Sequence, residues 1–414
     1  MYHHPKMQYT YVGVDSHKET HAAVLLDCFY EKIGAVSFGN RQEDFDTFLT
    51  QALQFKQHGT DLLFGLEDVS KYGRKLTKFL LAHNQPVKHV NAYLVAQERK
   101  NLNLDKSDLS DAECAARMLI SRFGSLPDVE EDERYHILRT LVVRRDFLTR
   151  NKTMLKNYLH SLLTIDFPNY HKFFTELHGK TALAFFTKYP SPRWLKDTTA
   201  EELGQFLWQH SGGNLNIERA KEILDLTDAE LTPIHEMRNK TVQSAIRQLQ
   251  YNMHEIENVD ADLQKVYSEF NTTLTSMTGI DLVTASKLLS CIGDIRKFAS
   301  PAKLARYAGI APESHSSGKK DAQFASKRGD RELNSVFYGL AIKLIHFYES
   351  ETKARNPFFY EYYRRKIREG KTRRQAIKCV QRRLCNIIWT MLRNNEDYVN
   401  APTVVVEPCE KPGS

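Results

Sequence analysis

The sequence has too few cysteines, too widely spread, to build a disulfide framework or a close-spaced zinc site. Cys28, Cys114, Cys291, Cys379, Cys385 and Cys409 are scattered, and none forms a C-x-x-C pair, which fits a reduced compartment. No apolar run approaches the length that spans a bilayer, and the opening MYHHPKMQYT has none of the apolar core of a signal peptide. The chain is therefore expected to be soluble and cytoplasmic, without a membrane partner. It does not lack core-forming residues: 41% are hydrophobic and 11% aromatic, which excludes global disorder. A large excess of one charge is also missing. The 58 Lys and Arg against 51 Asp and Glu leave +7, so where the charge lies matters more than its sum. At 414 residues the chain is too long for one ordinary core.

Three stretches differ in character. The first reads as α/β. Residues 9–16 (YTYVGVDS), 21–27 and 35–40 are strands. A helix follows over residues 43–55, with Phe45, Phe48, Leu49 and Leu53 on one face. Then come a buried-type strand at 61–67, a helix in YGRKLTKFLLAH, a short strand in PVKHV and a last helix beginning near Ser107. The order β-β-β-α-β-α-β-α predicts a mixed sheet with helices packed on it.

The middle is helical. Residues 133–164 keep apolar residues at helical spacing with Arg and Lys between them. In residues 241–270, Val242, Ile246, Leu249, Met253 and Ile256 form an a/d seam that Leu263 resumes. That seam suits either an antiparallel hairpin or an inter-subunit coiled coil. Between the two helices, residues 166–216 carry Pro168, Pro190, Pro192 and the run SGGN, and read as an inserted helical cap or loop-rich subdomain. The last stretch has a Gly279 turn between two helical halves, like a helix-hairpin-helix, and then a small polar loop, PESHSSGKKDAQFASKRGD. From Lys353 to Arg393 Lys and Arg recur, while only Glu361 and Glu369 are acidic. The expected domains are 1–126, a helical region at 127–270 with its insert at 166–216, a mostly helical domain at 271–398, and a flexible tail at 399–414.

The acidic residues raise the sharpest question. DKSDLSDAEC places Asp105, Asp108, Asp111 and Glu113 around the start of one helix. Acids in a first helical turn ordinarily complement the helix dipole. Asp108 and Asp111, however, stand at i and i+3 on one face, and two like charges that close need neutralising. Asp15 ends the first strand and Glu67 the fourth, where an unpaired acid is costly to bury. If those strands are neighbours and the last helix crosses their ends, Asp15, Glu67, Asp108 and Asp111 converge. Such a donor set suits Mg2+ or Mn2+, which can clamp a phosphodiester. This is the logic of an RNase H/RuvC-like nuclease domain. Asp68 and Asp105 read as a loop acid and a pre-helix acid.

YVGVDSHKETHAAVLLD, FGLEDVSKY and DKSDLSDAECAARML in this order resemble the DEDD transposases of the IS110 insertion-sequence family. The resemblance continues in LRTLVVRRDFLTRNKTMLKNYLHSLL and returns in MTGIDLVTASKLLSCIGDIRKFASPAKLARYAGIAPESHSSGKK. It leaves out the insert and the tail. Three departures stand out: EDVSKY in place of Glu-Ala-Thr-Gly, with Tyr72 still matching; GID in place of Gly-Ile-Gly; and Ser107 where Thr is usual.

The resemblance implies a multidomain α/β plus α fold: a RuvC-like N-terminal domain, central coiled-coil helices and a mostly helical C-terminal transposase domain. It implies that a serine before a glycine in the polar loop becomes covalently linked to DNA. Ser317, before Gly318, matches, with Ser316 as the fallback. It also implies cutting and rejoining of donor and target DNA and guidance by a structured noncoding bridge RNA. The Val242–Leu263 seam, with the need to process two duplexes, predicts a homo-oligomer, a dimer pairing into a tetramer on DNA, with an intramolecular hairpin as the alternative. By residue chemistry alone, Ser-Ser-Gly is an ordinary flexible turn. Lys319, Lys320, Lys327 and Arg328 around that loop, and Arg373 and Arg374 in the basic segment, are the candidate phosphate contacts. Two rivals remain: a RuvC-like junction resolvase or nuclease without covalent serine chemistry, and a non-catalytic nucleic-acid-binding scaffold.

Overall fold

The structure, a computed structural model, describes residues 4–69, 71–129, 132–227, 234–317, 320–324, 329–346 and 356–399. The chain divides into two compact units, one of Met1–His136 with Arg296–Ala299 and one of Ile137–Ile295 with Ser300–Ser414.

The first unit is built on β1 (Tyr9–Ser16), β2 (Thr20–Leu26), β3 (Lys32–Gly39), α1 (Gln42–Phe55), β4 (Asp61–Leu66), α2 (Arg74–Ala82), β5 (Val87–His89), α3 (Ala92–Asn101) and α4 (Asp108–Ser121). The strands form one sheet in the order β3-β2-β1-β4-β5. β1 and β2, and β2 and β3, are antiparallel, whereas β1 and β4, and β4 and β5, are parallel. The expected neighbours β1 and β4 therefore do pair, with Tyr9 opposite Asp61 through to Val14 opposite Leu66.

Because side chains alternate across a strand, each strand feeds both faces. Val12, Val14, Leu62, Phe64 and Leu66 pack with Phe45, Phe48, Leu49 and Ala52 of α1 and with Leu76, Phe79 and Leu80 of α2. Tyr11 and Leu63 face the other way, toward Ala112, Ala115, Ala116 and Leu119 of α4. On this second face two glycines lie opposite each other, Gly13 on β1 and Gly65 on β4. A Cβ on Gly13 would stand 2.1 Å from the Ala112 carbonyl oxygen and 2.3 Å from the Ala116 nitrogen. A Cβ on Gly65 would stand 2.8 Å from the Leu119 side chain. The missing side chains let the backbone of α4 come down onto the sheet.

Two expectations for this unit need correcting. Leu53 is 46% exposed, and the α1 face closes instead on Ala52, which continues the 45–48–49 spacing. The element order also contains one more helix, α3, before the one near Ser107. Only Val95 of α3 is buried, so its sequence carries almost no apolar periodicity.

In the second unit α5 (Glu133–Asp166, whose first turn belongs to the first unit) is followed by α6 (Lys180–Lys188), α7 (Ala200–Ser211), α8 (Ile217–Asp225) and α9 (Ile234–Ser268). Ion pairs Arg144–Glu255 at 3.5 Å, Arg145–Asp260, and Arg238–Asp166 at 3.1 Å tie α5 to α9 in antiparallel order. Val242, Ile246 and Leu249 are fully buried, in one core with Leu159 and Leu163, with Phe167, Phe173, Phe185, Phe186, Leu203 and Leu207 of the insert, and with Ile223 of α8, which follows it. The insert is thus a folded cap. The expectation of an inter-subunit coiled coil along this part of the seam is corrected: the chain's own insert covers it.

The remainder comprises α10 (Leu282–Ile292), α11 (Pro301–Tyr307), a hairpin of β6 (Glu313–Ser317) and β7 (Lys320–Phe324), α12 (Arg331–Ile345), α13 (Pro357–Arg368) and α14 (Arg373–Asn394). The two helical halves expected around Gly279 are not both α-helical. A 3-10 turn, Leu274–Ser276, precedes the glycine and α10 follows it. Gly279 has φ +96°, a left-handed conformation that suits glycine. Asp281, the departure from Gly-Ile-Gly, caps α10 by accepting from the Thr284 N–H at 2.8 Å, and it pairs with Lys343 at 2.8 Å. Burial alone would raise its carboxyl, but Lys343 and Thr284 hold it down at about 2. Among the described residues no helix is long and apolar enough to cross a membrane.

Candidate functional site

The strand alternation that buries Tyr11 under α4 also sets Asp15 on that face, two steps beyond Gly13. Glu67 follows the last residue of β4 in the same phase, two steps beyond Gly65. The β1–β4 register, continued one pair past Val14 and Leu66, puts the two acids level. α4 begins at the same end of the sheet. Ser107 caps it by accepting from the Ser110 N–H at 3.1 Å, while the Ser110 hydroxyl accepts from the Ser107 N–H at 2.9 Å. Asp108 and Asp111 occupy its first turn.

The electrostatics record the convergence. Burial pushes the Asp15 carboxyl up; His17 opposes this, and the nearby Asp111 and Asp108 reinforce it. Burial likewise raises Glu67, and Asp15 and Asp111 add to it, against a smaller pull from Arg99. All four expected acids thus lie near the end of β1 and β4, close enough to influence one another's charge. Asp15 and Asp111 keep only 13% and 12% of their side-chain surface, whereas Asp108 keeps 62%.

Two further residues belong to the cluster. His17, in the tight turn after β1, places Nε2 3.1 Å from Asp15 Oδ2 and 3.2 Å from Asp108 Oδ1. Among the described residues, the donor atoms of Asp15, His17 and Asp108 lie within 4.8 Å of one another, close enough to share an ion. Arg99, on the unexpected helix α3, forms an ion pair with Asp111. The signal for His17 was its i+2 relation to Asp15. For Arg99 the sequence offers none.

The decoys behave as loop chemistry. Asp68 accepts from the Lys71 and Tyr72 N–H groups, each at 2.8 Å, and shapes the EDVSKY turn. The Asp105 carbonyl accepts from the Ser110 hydroxyl at 2.7 Å.

Ser317 ends β6 in the second unit, paired in register with Lys320 of β7, while the acids belong to the first unit. Lys319, Lys327 and Arg328 lie outside the described residues, as do Lys353 and Arg355 at the start of the basic segment and residues 400–414. Arg373 and Arg374 are exposed at the start of α14. Of the aromatics among the basic residues, Phe359 is core, and Arg383 lies over Phe358 and Tyr362 at 4.8 and 5.3 Å from the ring centres.

Residues 12–168 match a transposase family model for DEDD proteins of the IS110 type, and residues 271–363 match the model of the transposase IS116/IS110/IS902 family. The chain is 24% identical over 400 residues to an insertion element IS116 protein of Streptomyces clavuligerus, covering 95% of this chain and 97% of that one. It is 24% identical to the pilin gene-inverting protein of Moraxella bovis, over 95% and 98% of the two chains. It is 23% identical over 311 residues to the transposase for insertion sequence element IS1111A of Coxiella burnetii, over 75% and 71%. With an α/β unit that gathers the four acids, a mostly helical remainder and both halves matched in order, the chain belongs to the IS110 family of transposases.

Proposed function

We propose that the chain cuts and rejoins DNA through a covalent link to Ser317, with a divalent ion held by Asp15, Glu67, Asp108 and Asp111. The observation that carries this reading is the meeting of four carboxylates, two of them raised by burial and mutual repulsion, at one end of β1 and β4. A cation can neutralise carboxylates so placed, and oxygen donors suit Mg2+ or Mn2+. On this reading residues 1–126 are an RNase H/RuvC-like domain, 127–270 a helical region and 271–398 the serine-bearing domain.

In the proposed step Ser317 Oγ forms a bond to phosphorus, and the bond to the leaving strand's oxygen breaks. The serine gives up its proton, and the leaving oxygen gains one. The new phosphodiester conserves the energy of the old, so a second hydroxyl can displace the serine and seal a different strand. An ion held by Asp15, Glu67, Asp108 and Asp111 would supply stabilisation of the charge on the displaced oxygen.

Arg373 and Arg374 stand at a helix N-terminus, whose free N–H groups also favour phosphate. Contacts of this kind bind without reading bases. Sequence choice is then assigned to a structured bridge RNA that pairs with donor and target, as in other RNA-guided systems. A homo-oligomer remains part of the proposal, through a surface other than the buried Val242–Leu249 seam, acting in the cytosol.

The test is capture of a protein–DNA adduct on the element's own ends. Ser317→Ala should abolish adduct and recombination while RNA and DNA binding persist, and Ser316→Ala should keep partial activity. Recombination by Ser317→Ala, lost instead in Ser316→Ala, would move the role to Ser316. Cleavage without any adduct would make the protein a hydrolytic nuclease.

A further inference from the structure

Resting on the reading that these acids hold a divalent ion, we propose that His17 is itself a ligand and that the Asp15–His17–Asp108 set prefers a first-row transition ion such as Mn2+ over Mg2+. The geometry is specific to one atom. The same Nε2 lies 3.1 Å from Asp15 Oδ2 and 3.2 Å from Asp108 Oδ1. A single nitrogen carries at most one proton, so it cannot give each carboxylate a full hydrogen bond of its own. Neighbouring ligands of an octahedral ion with bonds of about 2.1 Å stand roughly 3.0 Å apart, √2 times the bond length. The two distances match that spacing, so each carboxylate oxygen fits a position cis to the imidazole nitrogen, and all three donors lie within 4.8 Å of one another, as ligands of one centre must.

The fold holds the imidazole there. Ser16 pairs with His21, and the His17 N–H donates to the Thr20 carbonyl at 3.1 Å, so the turn between β1 and β2 is tight and His17 returns toward the Asp15 side. At 50% exposed, the ring is open to an entering ion and is not part of the core.

The chemical consequence follows from the nitrogen. Mg2+ takes oxygen donors and holds its water strongly, whereas imidazole adds affinity for transition ions. The cluster then offers Mn2+ two carboxylates and one imidazole, with Glu67 and the Arg99-paired Asp111 beside them.

The experiment uses the full chain with Mn2+ as the probe. Free Mn2+ is followed by electron paramagnetic resonance during titration, Mg2+ is added as competitor, and the bound ion is examined by electron spin-echo modulation for a coordinated imidazole nitrogen. His17→Gln offers an amide oxygen in place of the nitrogen at an exposed position. The expected result is a nitrogen signal in the native chain that disappears in His17→Gln. Mn2+ affinity should fall about tenfold, and Mg2+ affinity should change less than about threefold. Bound Mn2+ without a nitrogen signal, unaffected by His17→Gln but lost in Asp15→Asn, would overturn this inference and leave the carboxylate site standing. No binding of either ion, or binding indifferent to Asp15→Asn, would overturn both.

Discussion

The two faces of the five-stranded sheet are built on opposite principles. One is filled by rings: Phe38 stacks on Phe48 at 4.0 Å, and Phe45, Phe64 and Phe79 complete the layer with α1 and α2. The other is thinned by Gly13 and Gly65 until a helix backbone touches the strands. Both faces bury a core, but only the thinned one brings a helix start within reach of two strand-borne acids. The difference shows how a site is made here. Removing side chains from the centre of a face lets the polar groups at its rim meet.

Two substitutions should separate the faces most sharply. Gly13→Val forces α4 off the sheet; it should cost about 3 kcal/mol and abolish divalent-ion binding. Phe48→Leu on the ring-filled face should cost roughly 1 to 1.5 kcal/mol and leave ion affinity unchanged. Denaturant unfolding and calorimetric titration measure both, and equal loss of ion binding in the two would erase the distinction. A smaller effect is expected at Arg99, which holds Asp111 on the thinned face alone. Arg99→Leu should destabilise the ion-free protein by roughly 2 kcal/mol, and saturating Mg2+ should restore most of it.

The pH dependence should also divide the faces. Asp15 and Glu67 have raised pKa values in the folded chain, because burial and neighbouring acids disfavour their charge. The folded state then binds more protons than the unfolded state as these groups titrate. Their contribution is therefore full below the unfolded carboxylate range and is lost as pH rises through the raised values. Ion-free protein should thus lose stability on going from pH 4 to neutrality, Mg2+ should cancel the loss, and Asp15→Asn should raise the ion-free melting point at pH 7 by roughly 2 °C. A pH profile identical with and without Mg2+ would contradict this. The smallest change involves neither face: replacing Arg373 and Arg374 with Gln should lower the salt slope of DNA binding by about two, with ion binding intact. An unchanged slope would mean those charges are merely solvated.

Much of the first unit was legible because alternation is a strong signal. The observed β1 has the expected bounds, β4 ends one residue early, and the phase of Tyr11, Gly13 and Asp15 predicts which face the acid shares. The placement of the four acids was legible for the same reason: β1 and β4 end, and α4 begins, at one edge. α3 was not, since it buries only Val95, and with it Arg99 stayed hidden. His17 was overlooked because an exposed turn histidine has no pattern of its own; only the spacing to two carboxylates distinguishes it. The seam on α9 is apolar as the spacing predicts, but its assignment to a second subunit fails where Val242, Ile246 and Leu249 are buried within the chain. What covers it, the insert, is held by phenylalanines whose spacing in a proline-containing stretch gives no regular period.

The insert also limits any attempt to make the protein smaller. On a map of the chain α6–α8 resemble an ornament hung between two long helices, an obvious piece to delete when a compact tool is wanted. Cutting it out would strip the cover from Leu159, Leu163, Val242, Ile246 and Leu249 at once. It would leave a continuous greasy stripe on helices of 34 and 35 residues. Stripes of that kind recruit each other, so the trimmed chain would trade length for aggregation. A workable miniature would have to recode those positions as polar in the same step as the deletion.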